Sequence, residues 1–284
     1  MKEFKKINGF YLNTEEESII EHVLPEYYLD KNLDKNKINA DYALRFLQYE
    51  LSAILNSFIN GGFSYKGFLF YPFIKCLSNE NMAKIKRLKK VAILLKNNGY
   101  DFSESIESYR ENIGSKEFAL ILSSLYKDLS SIKNKNSISA KKYKCEELEL
   151  STYKKNDLRY LKPLNELKDY ANDNLKQYLS GFYLHGSLAT KDYIKGWSDV
   201  DTISVVSNGA LQEPEKLLDL RDKIYYMRLF FYKIDPLQHH GSIIITDYDI
   251  SNYCQAYFPV PVFRYAKSFF KHDKISNFKV RGYS

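Results

Sequence analysis

The chain has 284 residues, of which 44% are hydrophobic, so it is long enough for a packed core and for two domains of ordinary size. The formal net charge of +7 suits a negatively charged partner such as a nucleotide or a nucleic acid. Three scattered cysteines exclude a disulfide scaffold. No apolar run approaches the ~20 residues needed to cross a bilayer, and the first residues lack a signal-peptide pattern, so we expect a cytoplasmic protein.

The first half of the chain has the apolar periodicity of helices. Apolar residues spaced three and four apart predict helices over residues 40–59 and 79–98, and one or two more over 103–132. Residues 133–145 are polar, basic and without helical period, which predicts a linker or loop.

A basic stretch, Lys84–Lys90, lies within the second of these predicted helices. A solvated helix face is the default interpretation of such spacing. The alternative is a surface for a phosphate-rich acceptor, because neutralising several phosphates releases counterions.

The second half alternates between helices and short apolar runs. The pattern predicts, in chain order, a helix, two strands, a helix and two further strands, at residues 164–179, 181–185, 200–206, 214–228, 230–237 and 242–246. This order predicts an α+β fold, with a helical domain over residues 1–150 and a mixed-sheet core domain over residues 151–284.

Asp199 and Asp201 open the second predicted strand of this core. Residues two apart on a strand project from the same face, so the two carboxylates share one side of the sheet. Oxygen ligands of this kind suit Mg²⁺, and a pair of divalent ions can hold the attacking and leaving oxygens of a phosphoryl displacement.

Gly186-Ser187 directly follows the first predicted strand. Glycine permits a tight turn and a close backbone approach, and free N–H groups at a helix start favour phosphates. Lys191 and Lys195 follow in the next segment and are candidates to add positive charge at a triphosphate, although solvated surface lysine is the commoner role.

An apolar strand, Gly186-Ser187, a spacer and Asp199-Val200-Asp201 leading into a second apolar strand resemble the DNA polymerase β-like nucleotidyltransferase superfamily. The resemblance covers roughly residues 164–250 and does not extend to residues 1–150. It implies a polymerase β-like core in which Gly-Ser holds a nucleoside triphosphate and the Asp pair binds two Mg²⁺ ions.

The resemblance also implies a third carboxylate on a later strand. Asp235 lies within the predicted strand 230–237, near its end, and is the favoured candidate, with Asp247, at the end of the next strand, as the alternative. The alternative without a catalytic role is that both are aspartates that stabilise turns at strand ends.

Other residues near the motif have less specific patterns. Adjacent histidines, His239 and His240, point in opposite directions on an extended chain, so they cannot easily bind one metal together. A polar turn between strands is the favoured interpretation, with an approach of one histidine to the acceptor or base as the alternative. Trp197 is a candidate to stack on a base or to pack. Arg228 and Arg264 are further candidates for phosphate contacts.

These observations and the resemblance together imply a Mg²⁺-dependent nucleotidyltransferase that transfers NMP from an NTP to an acceptor hydroxyl and releases pyrophosphate. The helical region is expected to cover the cleft and shape the acceptor pocket. A small molecule or a protein is the favoured acceptor. The alternatives are an RNA-directed or oligonucleotide-synthesising enzyme and a non-catalytic, antitoxin-like nucleotide-binding protein.

Overall fold

A computed structural model describes residues 5–7, 10–12, 40–60, 79–100, 102, 114–132, 139–141, 145–238, 240–251, 262–271 and 278–280. The helices in these ranges are α1 (Ala40–Ile59), α2 (Asn79–Asn97), α3 (Ser115–Ser131), α4 (Leu158–Asn174), α5 (Gly186–Thr190), α6 (Asn208–Leu211), α7 (Pro214–Ile234), α8 (Asp247–Ser251) and α9 (Val262–Tyr265). The strands are β1 (Lys5–Ile7), β2 (Phe10–Leu12), β3 (Ser139–Lys141), β4 (Glu146–Glu147), β5 (Leu179–Leu184), β6 (Thr202–Val206), β7 (Ile243–Thr246), β8 (Lys267–Ser268) and β9 (Phe278–Val280).

Five of the described strands form one mixed sheet in the order β4-β8-β5-β6-β7. Strand β5 is antiparallel to both β6 and β8, whereas β6 and β7 run parallel. Strands β1 and β2 form a separate antiparallel pair, and so do β3 and β9. The predicted α+β class with a mixed sheet flanked by helices is confirmed.

Hydrophobic side chains are buried on both faces of the sheet, and the side chains of β6 point alternately into two clusters. Val206 belongs to the main core, which also contains apolar residues of α1, α2, α3, α4 and α7. Ile203 and Val205 belong to a smaller cluster with Tyr183 and Phe263. Strand β6 is therefore buried on both faces, and it begins directly after the Asp pair.

The helices predicted in the first half are largely confirmed. Helices α1 and α2 match the predicted ranges 40–59 and 79–98 to within a residue. Within the predicted range 103–132, α3 is present, and its Glu117 carboxylate accepts a hydrogen bond from Gly114 N at 3.0 Å. The predicted linker 133–145 includes a short strand, β3, and residues outside the described part of the chain.

The strand predicted over residues 230–237 is wrong, because α7 continues to Ile234. Buried apolar residues recur at helical spacing along its whole length, at Leu217, Leu220, Ile224, Met227, Phe231 and Ile234. A helical stripe packed against α4 and α3 therefore prevails over the local β preference of the aromatic residues near its end.

Other elements of the second half match with shifted bounds. The helix predicted at 164–179 is α4, which begins before Pro163 and ends at Asn174. The strands predicted at 181–185, 200–206 and 242–246 are β5, β6 and β7. The Asp pair precedes β6 instead of opening it, since β6 begins at Thr202.

Helix α1 packs along β7, which is an edge strand of the five-stranded sheet. The Asn56 side chain donates to Ile244 O at 2.5 Å and accepts from Ile244 N at 2.7 Å, as a neighbouring strand would. One turn later, Asn60 Nδ2 donates to Ser242 O at 3.0 Å. These amides satisfy the backbone of an edge strand that would otherwise be open to pairing with another chain.

Residues on both sides of position 150 contribute to the main core. Helices α1 and α3 both pack against α7, and β4 joins the sheet although it precedes residue 150. The division into domains 1–150 and 151–284 stays a prediction. None of the helices in the described ranges combines the length and apolarity that a bilayer crossing requires.

Candidate metal centre

Three loops meet at one end of the strands, because β5 ends where β6 and β7 begin. Leu184, the last residue of β5, pairs with Thr202, the first residue of β6, so His185 and Gly186 lie beside Asp201. His185 N donates to Asp201 O at 2.9 Å. Strand β7 runs parallel to β6 with Ile243 opposite Ile203, which places the residues before β7 at the same end.

His240 joins the two aspartates at this end of the strands. Its Nε2 lies 2.9 Å from Asp199 Oδ2 and 3.4 Å from Asp201 Oδ1. One ligand atom from each of Asp199, Asp201 and His240 lies within 4.8 Å of the others, and all three residues are half-buried. Two carboxylates and one imidazole at this separation can hold a metal ion.

The orientation of His240 is set by Gln238, whose amide is buried. Gln238 Oε1 accepts from Val200 N at 2.9 Å, and Gln238 Nε2 donates to Val200 O at 3.2 Å and to His240 O at 3.1 Å. These bonds use both N–H groups of the amide, although Gln238 Nε2 also lies 3.3 Å from His240 Nδ1. The network therefore assigns the proton on Nδ1 to a bond with Gly241 O, 3.1 Å away.

The two histidines of the site have opposite pKa shifts. Burial alone lowers the pKa of His240, but the hydrogen bonds to Asp199 and Gly241 and the charges of both aspartates outweigh it, so the net shift is upward. Burial lowers the pKa of His185 to about 4, assisted by His240 and opposed by Asp199. His185 is therefore neutral at pH 7.

Gly186 is required by the position of the Asp201 carboxylate. Its φ is +68°, a conformation that favours glycine, and a Cβ at this position would overlap Asp201 Oδ2. The turn therefore brings backbone into direct contact with an acid of the site. This proximity brings the Gly186-Ser187 motif next to the Asp pair.

The lysines predicted to contact phosphate lie on the exposed segment after α5. The ammonium group of Lys191 lies 5.3 Å from the centroid of the Tyr153 ring. Lys195 Nζ lies 3.8 Å from Asp157 Oδ1 and 5.7 Å from the centroid of the Tyr160 ring. A role of either lysine at a triphosphate stays a prediction.

Neither candidate for the third carboxylate belongs to the group around His240. Asp235 follows helix α7, and its Oδ1 accepts from Leu237 N at 2.9 Å, which stabilises a turn. Asp247 follows β7, whereas Asp201 precedes its parallel neighbour β6, so the two residues lie at opposite ends of these strands. Its carboxylate accepts from Ser180 Oγ at 2.5 Å and from Asn208 N at 3.0 Å.

The remaining candidates have varied environments. Arg228 is buried and donates to Asn60 O, so it anchors α1, and burial lowers its pKa to about 10. Arg264 is exposed, with its guanidinium 5.9 Å from the centroid of the Tyr265 ring. Trp197 is 81% exposed, two residues before Asp199. His239 lies outside the described residues.

Sequence reasoning missed the histidines of this site. His240 was interpreted as part of a polar turn, and His185 was not singled out, although it stands between an apolar strand and Gly186. Strand alternation separated His239 from His240, but it gave no signal that β7 runs parallel to β6. That pairing brings His240 to the Asp pair.

Compared with known proteins, the chain matches no family model, no curated protein and no solved structure. The donor set fits a divalent cation, because it combines two carboxylates with an imidazole whose other nitrogen is assigned a hydrogen bond to a carbonyl.

Proposed function

We propose that the protein is a metal-dependent nucleotidyltransferase with a polymerase β-like core. The convergence of Gly186-Ser187 with Asp199 and Asp201 at one end of the strands supports this proposal. Two motifs that are separated along the chain thus lie within contact distance of each other.

In this proposal, Asp199 and Asp201 hold the metal, which supplies charge neutralisation at the phosphates of a nucleoside triphosphate when bound. Gly186 and Ser187 hold the phosphate chain. An acceptor hydroxyl gives up its proton to solvent as its oxygen attacks the α-phosphorus, the bond to the bridging oxygen breaks, and pyrophosphate leaves. Most of the rate enhancement comes from positioning and electrostatic stabilisation.

Incubation of the protein with each α-labelled NTP, a divalent cation and a cell extract tests the proposal. We expect label in a small-molecule, protein or nucleic-acid fraction, and release of pyrophosphate. Label in the small-molecule or protein fraction would agree with the favoured class of acceptor.

Matched variants test the assigned roles. Asp201→Asn should lower transfer by at least about 100-fold, a loss comparable to that of one electrostatic contact in other enzymes. Asp235→Asn, which changes a turn carboxylate outside the cluster, should leave transfer within about two-fold of the parent protein. The absence of transfer with every NTP, together with the absence of NTP binding in calorimetry, would contradict the proposal.

A nucleic-acid acceptor is the second candidate, and the exposure of Trp197 favours it. An indole that is 81% exposed two residues before Asp199 is a surface on which a base can stack. We expect RNA affinity to fall steeply with salt and to drop in Trp197→Ala if RNA is the acceptor. A flat salt dependence would contradict this second candidate.

A further inference from the structure

We propose that His240 is the third protein ligand of the metal site, and that the site therefore selects a borderline divalent cation such as Mn²⁺ or Co²⁺ over Mg²⁺. This inference builds on the site of the proposed function but concerns metal binding, which can be measured without a nucleotide. It differs from the sequence prediction, which placed a carboxylate of Asp235 in this role.

His240 places a nitrogen donor, Nε2, beside the Asp pair. This atom lies 2.9 Å from Asp199 Oδ2 and 3.4 Å from Asp201 Oδ1, so it is close to both carboxylates. His240 immediately precedes Gly241, Ser242 and strand β7, the parallel neighbour of β6. Among the described residues just before β7, the one that reaches the two aspartates is thus a histidine.

The other ring nitrogen of His240, Nδ1, has a hydrogen-bond partner that orients the imidazole. A histidine that binds a metal usually donates its other N–H to a carbonyl or carboxylate, which fixes the tautomer and the ring orientation. His240 Nδ1 has such a partner in Gly241 O at 3.1 Å. The buried Gln238 amide holds the backbone on both sides of the site, since it bonds Val200 N, Val200 O and His240 O.

Close packing around Gly241 restricts the segment that carries His240. A Cβ on Gly241 would overlap the Asn60 side chain at the end of α1. Asn60 in turn donates to Ser242 O at 3.0 Å and accepts from the buried Arg228. Helix α1 therefore fixes the backbone next to His240, so the imidazole is held from both the Gln238 side and the Asn60 side.

The donor chemistry decides the class of metal. Mg²⁺ prefers an all-oxygen octahedral shell and loses its water reluctantly. Imidazole nitrogen is a better ligand for first-row transition ions, and carboxylates accept Mn²⁺ as readily as Mg²⁺. An Asp-Asp-His set therefore raises affinity for Mn²⁺ and Co²⁺ more than affinity for Mg²⁺.

Titration of the full chain with Mn²⁺ alone, followed by the electron paramagnetic resonance signal of the free ion, tests the inference. We expect one site in which Mg²⁺ competes at least about 10-fold more weakly than Mn²⁺. His240→Gln should weaken Mn²⁺ binding by at least about 10-fold, because even residues that only support a ligand change metal affinity by this much. A visible Co²⁺ absorption band should weaken in the same variant.

Two further variants complete the test. His240→Asp restores an all-carboxylate set, so it should narrow the preference for Mn²⁺ over Mg²⁺ while retaining binding. Asp235→Asn should bind Mn²⁺ as the parent does. Circular dichroism confirms that each variant is folded, and if His240→Gln fails to fold, the His240→Asp preference decides the question. Equal competition by Mg²⁺ in the parent, or unchanged Mn²⁺ affinity in folded His240→Gln, would overturn the inference.

The two proposals fail in different ways. If no NTP is bound or transferred but Mn²⁺ binding requires His240, the proposed function falls and the metal site stands. If labelled NTP is transferred with Mg²⁺ and substitution of His240 leaves metal affinity unchanged, the function stands and the histidine ligand is wrong.

Discussion

The two ends of the parallel pair β6–β7 both carry aspartates, but the environments of these acids differ. At the end where the strands begin, the Asp199 and Asp201 carboxylates face the imidazole of His240. At the other end, about 15 Å away along the strands, Asp249 is buried and accepts bonds from Thr246 N, Thr246 Oγ1, Gln48 Nε2 and Ser52 Oγ.

This contrast separates structural acids from candidate ligands. Asp247 and Asp249 accept hydrogen bonds from backbone amides and hydroxyls, which commits their oxygens to holding α8, α6 and α1 on the sheet. The acids at the beginning of the strands instead share a small space with a second type of metal donor. Chemical identity alone did not distinguish the two pairs, because all four residues are aspartates beside strands.

The largest effect on stability is expected at the structural end. Asp249→Ala leaves the donors of Gln48, Ser52 and Thr246 without their carboxylate, so we expect the free energy of unfolding at pH 7 to fall by about 3–4 kcal/mol. Urea denaturation measures this loss. Asp201→Ala should cost less than about 1 kcal/mol but abolish Mn²⁺ binding. A folded Asp249→Ala protein with lost Mn²⁺ affinity would break the distinction between the two ends.

A pair of glycine variants probes the candidate metal end. Gly186 and Gly196 both have positive φ, but a Cβ at Gly196 would have no neighbour within 4 Å. We expect Gly196→Ala to cost about 1 kcal/mol of unfolding free energy, with unchanged Mn²⁺ affinity. Gly186→Ala should cost about 2–3 kcal/mol and weaken Mn²⁺ binding at least about 10-fold, because its Cβ displaces the Asp201 carboxylate. Equal metal affinity in the two variants would contradict this assignment.

The edge contact of α1 should contribute a smaller amount. Asn56→Ala removes both side-chain bonds to Ile244, so we expect thermal and urea unfolding to report a loss of about 1–2 kcal/mol. Asn98→Ala is the matched control, since the Asn98 amide bonds only locally, to Leu94 O at 2.7 Å, and is exposed. Its loss should stay below about 0.5 kcal/mol. Similar losses in both variants would show that the edge contact adds nothing.

The smallest effect is a dependence of stability on pH at Asp249. Burial raises the pKa of Asp249 above its usual value of 3.8, although hydrogen bonds from Gln48, Thr246 and Ser52 oppose the shift. The folded protein therefore binds this proton more tightly than the unfolded chain does. The contribution of Asp249 to stability is greatest at low pH and declines as pH rises from 3.8 through the raised pKa.

Urea denaturation of the parent and Asp249→Asn between pH 4 and pH 7 measures this decline. The parent should lose stability relative to the neutral variant as pH rises through this window. A difference that instead grows in favour of the parent with rising pH would show that the hydrogen bonds outweigh burial.

The sequence predicted the parts of the site that lie within local motifs. Apolar periodicity located β5 and β6, so Gly186-Ser187 and the Asp pair could be placed at strand ends. It failed where the outcome depended on distant packing. Helix α7 continues through aromatic residues that favour strands, because Phe231 and Ile234 extend its buried stripe.

The third member of the cluster could not be predicted for a related reason. The position of His240 depends on the parallel pairing of β7 with β6, a contact between segments that are separated by the whole of α6 and α7. A strand pattern specifies neither its partner nor its direction. The role of Asn56 at the β7 edge was equally hidden, since an asparagine on a helix gives no sign of which backbone it satisfies.

The contact between α1 and β7 has a consequence for handling the protein in pieces. Strand β7 has the sequence Ile-Ile-Ile-Thr, with Ile243 37% exposed even in the folded chain. A fragment that begins after α3 would present this apolar edge, with open N–H and C=O groups, to other molecules. We expect such a fragment to self-associate through β7. By bonding the backbone of Ile244 and Ser242, the amides of Asn56 and Asn60 thus protect the intact chain against aggregation through this edge.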